Sequence, residues 1–125
     1  MTAVLDASAL VALLRAEPGA EVVESLLDVA VVSAVNWSEV RQKLAQHGGD
    51  PNDVDYLLIL GVAIEPFTAN DAKRTADLFV HTRHAGLSLA DRACLALAQR
   101  LGAPAVTADR AWAEVDIGVQ VDLVR

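Results

Sequence analysis

The sequence predicts an α/β fold: a central, mostly parallel sheet of about four to five strands, flanked by helices on both faces. Three observations predict it. Short apolar runs alternate along the chain with longer segments of helical period. The apolar runs do not alternate polar with apolar residues, as strands buried on both faces do not. Proline and glycine fall at the boundaries between the two kinds of segment. The 125 residues fit one domain over 1–125, with no repeat, low-complexity tract or linker.

"AVLD" (3–6) reads as a first short strand, followed by a helix over 8–16 that Pro18 and Gly19 stop. Val22, Val23, Leu26 and Leu27 mark a helical stripe over 20–28, and "AVVS" (30–33) a second strand. Residues 35–49 form a helix with Trp37, Val40 and Leu44 on one face and glycines at its end. Pro51 opens and Gly61 closes the next, over 50–61. "VAIEPF" (62–67) is a third strand, 68–86 a long helix, and 88–102 another with Leu89, Ala93, Leu97 and Leu101 on its stripe. "PAVT" (104–107), a short helix over 108–114 and "VQVDLV" (119–124) complete the pattern.

Composition narrows the class. A 54% hydrophobic content excludes a disordered tail. The apolar runs are too short or interrupted to span a membrane, and no basic region precedes an apolar core at the N-terminus. One cysteine, Cys94, excludes an internal disulfide, fits a reducing cytoplasm, and lies on an apolar stripe as a small core residue. The net charge of −7 argues against nucleic-acid binding unless some acids are gathered around a metal, which reverses the local sign.

In a parallel α/β sheet, ligands bind beyond the carboxyl ends of the strands. Asp6 ends the first strand, Glu39 lies one turn into the helix after the second, Asp91 is in the first turn of the 88–102 helix, and Asp109 follows "PAVT" by two residues. Each has a structural explanation of its own. Asp6 and Asp109 can cap helices, Glu39 can pair with Lys43 four residues on, and Ser88 with Asp91 makes a capping box. None of these explains why all four fall on one rim. Two like charges 4 Å apart repel by about 4 kcal/mol at an effective dielectric of 20. A divalent cation relieves this at neutral pH, and carboxylates without His or Cys suit Mg²⁺ or Mn²⁺. Ser8 and Thr107 are small hydroxyls placed to orient a ligand or water.

"VLDASAL", "SEV", "LSLADRACLALA" and "AVTADRAW", in that order across residues 3–112, resemble the PIN-domain ribonucleases, and among them most closely the VapC toxins of bacterial toxin–antitoxin modules. The resemblance implies a single PIN domain and a Mg²⁺- or Mn²⁺-dependent endoribonuclease that hydrolyses RNA with a metal-activated water. It implies a cytoplasmic homodimer restrained by a small antitoxin protein. By motif match Asp6, Glu39, Asp91 and Asp109 are the catalytic and metal-holding acids, with Ser8 and Thr107 in support. The fourth acid varies in place in this family, so Asp116, or less readily Glu114, shares or takes the role of Asp109.

Arg15, Arg41, Lys43, Arg92 and Arg110 lie nearest the motifs and are candidates for RNA phosphates, or else solvated surface charge. His81 and His84 read as plain surface residues. Trp37 reads as core; Trp112 is open between core and base stacking. The apolar stripes of 8–16, 20–28 and 50–60 offer surface to a second copy or an antitoxin helix. A phosphoacceptor domain is disfavoured because the last strand supplies no lysine, and an Asp-x-Asp phosphatase because Ser8 stands where its second acid belongs. A PIN-like module that binds RNA or protein without cleaving it is the remaining alternative.

Overall fold

The computed structural model describes residues 1–125. Five short strands, β1 (Ala3–Leu5), β2 (Ala30–Ser33), β3 (Ala63–Glu65), β4 (Ala105–Thr107) and β5 (Val121–Leu123), pair in the order β3-β2-β1-β4-β5. Every pairing is parallel: Ala3 lies against Ala30, Val4 against Ala105, Val31 against Ala63, and Ala105 against Val121. The chain works outward from β1 through β2 to β3, then returns to β1's other side with β4 and β5. The order therefore reverses between β1 and β4, and a crevice forms at such a switch point beyond the strand ends.

Seven α-helices cover the sheet: α1 (Ala7–Leu14), α2 (Ala20–Glu24), α3 (Ala34–Gln46), α4 (Tyr56–Ile59), α5 (Ala69–Asp77), α6 (Phe79–Thr82) and α7 (Leu89–Leu101). Successive strand side chains point to opposite faces, and in the three central strands β2, β1 and β4 both faces are largely buried, while β3 and β5 at the edges are partly exposed. Ala3, Leu5, Val32 and Val106 pack with Leu10, Val23, Val40 and Leu57 of the first four helices. Val4 and Ala105 pack on the other side with Cys94 to Ala98 of α7 and with Trp112. This two-sided burial is why the central strands are apolar up to a hydroxyl at the end of β2 and β4, while the edge strands carry Glu65 and Asp122.

Several helices are shorter than their sequence patterns. The 20–28 stripe stops at Glu24 and resumes as a 3-10 turn over Leu27–Val29, and the 50–61 segment is a 3-10 turn over Pro51–Asp55 followed by the single turn of α4. The long helix of 68–86 tightens at Leu78: the His81 amide bonds the Leu78 carbonyl three residues back, and the Thr82 hydroxyl donates to the same carbonyl at 2.9 Å. That competition splits the segment into α5, α6 and a 3-10 turn over Arg83–Ala85, which Gly86 ends in the left-handed region at φ +69°. Residues 110–114 are likewise 3-10 rather than α. No helix is long and apolar enough to cross a membrane.

Candidate active site

A cavity of about 290 Å³ opens at the β1–β4 crevice, lined by Asp6, Ala7, Ser8, Glu39, Lys43, Ser88, Asp91 and Asp109. All four rim acids expected from the sequence line it. Asp116 and Glu114 do not; both are exposed, on the stretch that leads to β5.

Asp6 is held where β1 gives way to α1. Its amide bonds the Val106 carbonyl of β4 at 3.1 Å, and its Oδ1 caps α1 by accepting from the Ala9 amide at 2.9 Å. Thr107 Oγ1, at the end of β4, donates to Oδ2 at 2.6 Å, and Ser8 Oγ donates across both oxygens at 2.8 and 2.9 Å. The two hydroxyls are tied in their turn. Ser8 Oγ accepts from the Ala108 amide at 2.9 Å, and Thr107 Oγ1 from the Asp109 amide at 3.0 Å. The carboxylate is thus fixed in orientation by two strands and one helix end. It is only 2% exposed, and burial raises its pKa from 3.8 to about 6. The hydrogen bonds from Thr107, Ala9 and Ser8 pull the other way without winning, and the charge of Asp91 adds to the rise.

The other three acids come from separate elements. Glu39 sits one turn into α3, facing Lys43 at 3.6 Å. Asp91 is the third residue of α7; its Oδ2 accepts from the Ser88 amide at 2.9 Å while Ser88 Oγ accepts from the Asp91 amide, a complete capping box. Asp109 caps the 3-10 turn that follows β4 by accepting from the Ala111 amide at 3.0 Å. Every local role open to these acids is filled, and the same four carboxylates also share one cavity. Behind them lies the buried Cys94 thiol. Burial pushes its pKa well up, and the charges of Asp6, Asp91 and Glu39 push it further, so it is inert at neutral pH.

Asn36 carries no catalytic signature in the sequence, yet its side chain joins two of the acid-bearing helices. It is fully buried, and Nδ2 donates to the Ala90 carbonyl at 3.0 Å and to Glu39 Oε1 at 3.4 Å. Its spacing of three before Glu39 was the only available hint; the partner at Ala90 is 54 residues away. Of the basic candidates, Lys43 alone lines the cavity. Arg15 pairs with Glu17, Arg41 with Asp55, Arg92 lies over the Phe79 ring, and Arg110 is exposed. Trp112 is wholly buried against α7, which removes it as a stacking surface, while Trp37 packs at the margin of the other core. His81 is exposed and His84 meets the Glu114 carbonyl at 2.9 Å.

The donor set suits a hard divalent cation: four carboxylates and two serine hydroxyls, with no His or Cys on the lining. As the side chains stand, no three acidic, His or Cys groups converge tightly enough to hold one ion. Glu39 is drawn toward Lys43 and Asn36, and Asp91 toward its own helix cap. Coordination therefore calls for side-chain rotations about a preset Asp6, and the high pKa of Asp6 is that of a buried carboxyl with no cation beside it.

No curated protein sequence matches the chain. Solved structures do. A toxin–antitoxin complex from Klebsiella pneumoniae superposes with a TM-score of 0.72 at 20% identity, over 95% of this chain and 99% of that one. VapC20 of Mycobacterium tuberculosis, a toxin that cleaves the sarcin–ricin loop, gives 0.73 at 17% identity, over 95% and 99%. VapBC2 of Rickettsia felis, bound to a fragment of promoter DNA, gives 0.75 at 14% identity, over 98% of each chain. At these identities the likeness is one of fold. The family model described as PIN domain aligns with residues 3–118, a span that takes in all four acid-bearing segments of the crevice, so the chain belongs to the PIN-domain family.

Proposed function

We propose that this chain is a metal-dependent endoribonuclease, the toxin of a toxin–antitoxin pair acting in the cytoplasm. The observation that carries it is the convergence of Asp6, Glu39, Asp91 and Asp109 from four elements on one cavity at the switch point of a PIN-domain sheet. A toxin that cleaves RNA stands among the proteins of this fold.

Mg²⁺ or Mn²⁺ bound by these acids would offset their charge, polarise a phosphodiester and make water a stronger nucleophile at neutral pH. The chain's own residues do the rest. Asp6 gives the fixed point of the site, held by Ser8, Thr107 and the Ala9 amide. Glu39, Asp91 and Asp109 bring the remaining oxygens from three sides. Lys43, beside Glu39 on the cavity wall, supplies a cation for a non-bridging phosphate oxygen.

The partner of such a toxin is a small antitoxin. A hollow of about 650 Å³ lined by Leu13, Leu14, Leu27, Leu57, Leu60 and Tyr56, with Glu24, Ser25 and Asp28 completing it, offers it a mainly apolar seat between α1, α2 and α4. The neighbouring Ile59 is 80% exposed and suits burial against the antitoxin or the second subunit of a homodimer.

The decisive test is cleavage of total RNA by the purified protein. Cleavage is expected with Mg²⁺ or Mn²⁺, none with chelator, and a loss of at least 100-fold in Asp6→Asn and in Asp91→Asn with the fold intact by circular dichroism. Binding of RNA with no cleavage under any metal would make the chain a silent PIN module. Undiminished cleavage by both variants would place the chemistry elsewhere.

A further inference from the structure

If the chain is a ribonuclease, the phosphates of its substrate need a surface, and its charge is far from evenly spread. Residues 66–104, which hold α5, α6 and α7, contain five of the ten Lys and Arg but only three of the seventeen Asp and Glu. The remainder of the chain holds five against fourteen. His81 and His84, two of the three histidines, also lie in the favoured segment. The acidity of the whole molecule therefore hides a stretch with a net charge of +2, five cations less three acids.

That stretch is shaped as well as charged. Lys73 and Arg74 of α5 line a wholly polar hollow of about 380 Å³ with Asn70, Asp77 and Arg100. Arg100 is engaged with Asp71 and Glu65, but neither Lys73 nor Arg74 enters an ion pair. On the adjoining α6, Phe79 is 49% exposed, an unusual placement for one of only two phenylalanines. Arg92 ties this ring to the first turns of α7, whose Asp91 lines the cavity. It follows Asp91 in α7, its guanidinium sits 5.4 Å from the Phe79 centroid, and its Nη1 donates to the Thr75 carbonyl of α5 at 2.8 Å. Free cations beside an exposed aromatic ring are what single-stranded nucleic acid binds, phosphates on the charges and a base on the ring.

We propose that single-stranded RNA leaving the acidic cavity lies across the α5–α6 edge, with phosphates on Lys73 and Arg74 and a base against Phe79. This rests on the ribonuclease reading and adds to it the path of the strand. The cation–π contact keeps the Phe79 ring beside Arg92, so a base laid on it gains the Arg92 charge too.

Binding of a fluorescein-labelled single-stranded 12-nucleotide RNA, read by anisotropy in the full-length Asp6→Asn protein, tests this. Lys73→Glu with Arg74→Glu should weaken binding at least tenfold. It should also flatten the slope of log affinity against log salt by about 1.4, the share of two single-strand phosphate contacts. Phe79→Ala should weaken it 5- to 100-fold. Arg15→Glu with Arg125→Glu, which makes the same change in net charge elsewhere, should leave the slope alone. In the active protein the α5 pair and Phe79→Ala should raise KM more than they lower kcat. Equal losses from both charge-reversed pairs, or none from the α5 pair while the parent binds and cleaves, would overturn the path and leave the ribonuclease standing. If Phe79→Ala instead turns a dimer into a monomer at unchanged RNA affinity, the ring belongs to a protein interface and the path is wrong. A parent chain that neither binds nor cleaves RNA removes path and nuclease together.

Discussion

Asp6 carries two opposing demands. Its position between β1 and α1 calls for a good helix cap, and its burial penalises the charge that a metal needs. The folded carboxyl has a pKa of about 6 against 3.8 in the unfolded chain, so the native state binds the proton more tightly. The stability from this group is therefore complete below pH 3.8 and is lost as pH rises through 6. A gap of about two pH units corresponds to roughly 3 kcal/mol at neutral pH. Asn caps a helix as well as Asp does and never ionises. In the presence of chelator, Asp6→Asn should thus melt higher than wild type at pH 7, by on the order of 10 °C at most, with the gap closing by pH 4. Melting curves across that range check it; a variant less stable at both ends would show that the fold requires the charge.

At the scale of the element, α7 shows how a cavity-lining carboxylate is placed by ordinary helix chemistry. Ser88 and Asp91 complete a capping box, so the feature that starts the helix also points Asp91 at the crevice. Ser88→Ala should cost about 1 kcal/mol and lower Tm by about 4 °C. Cleavage should persist, because residue 88 still offers its backbone amide to Asp91 Oδ2. Loss of cleavage at unchanged Tm would mean that the hydroxyl serves the site rather than the helix. The Thr68–Asp71 box of α5 is built alike but serves packing. Asp71 is 2% exposed, and although burial pushes its pKa up, hydrogen bonds from the Thr68 amide and Arg100 outweigh this and hold it below the usual range. The same local motif, present twice in the chain, thus leads once to the crevice and once to an ion pair that only the tertiary fold defines.

For the whole molecule, the metal is expected to act as a ligand of the folded state alone. At a hundred times its Kd, Mg²⁺ or Mn²⁺ should add about 2.7 kcal/mol, on the order of 10 °C in Tm. Asp91→Asn should remove most of that gain. Thermal shift in a metal titration measures it, and no shift at millimolar metal would count against the acids as one binding unit. The strands and the rim acids were legible beforehand because both follow local rules: mainly apolar runs for two-sided burial, and polar residues where each run ends. What distant packing decides was not legible. Asn36 answers to Ala90, Trp112 to the far side of α7, and the break at Leu78 to a contest over one carbonyl.

The hydrogen bonds that hold Asp6 join residues a hundred positions apart: Thr107 to Asp6, and Ala108 to Ser8. Contacts so distant in sequence form late, since they must first close a long loop of chain. A ribosome making this protein releases Asp6 about a hundred residues before the strand that orients it. Until β4 has slotted in beside β1, the nascent chain has the acids but no crevice. The geometry of the site is thus delayed by the order in which its parts are made, whatever chemistry it serves.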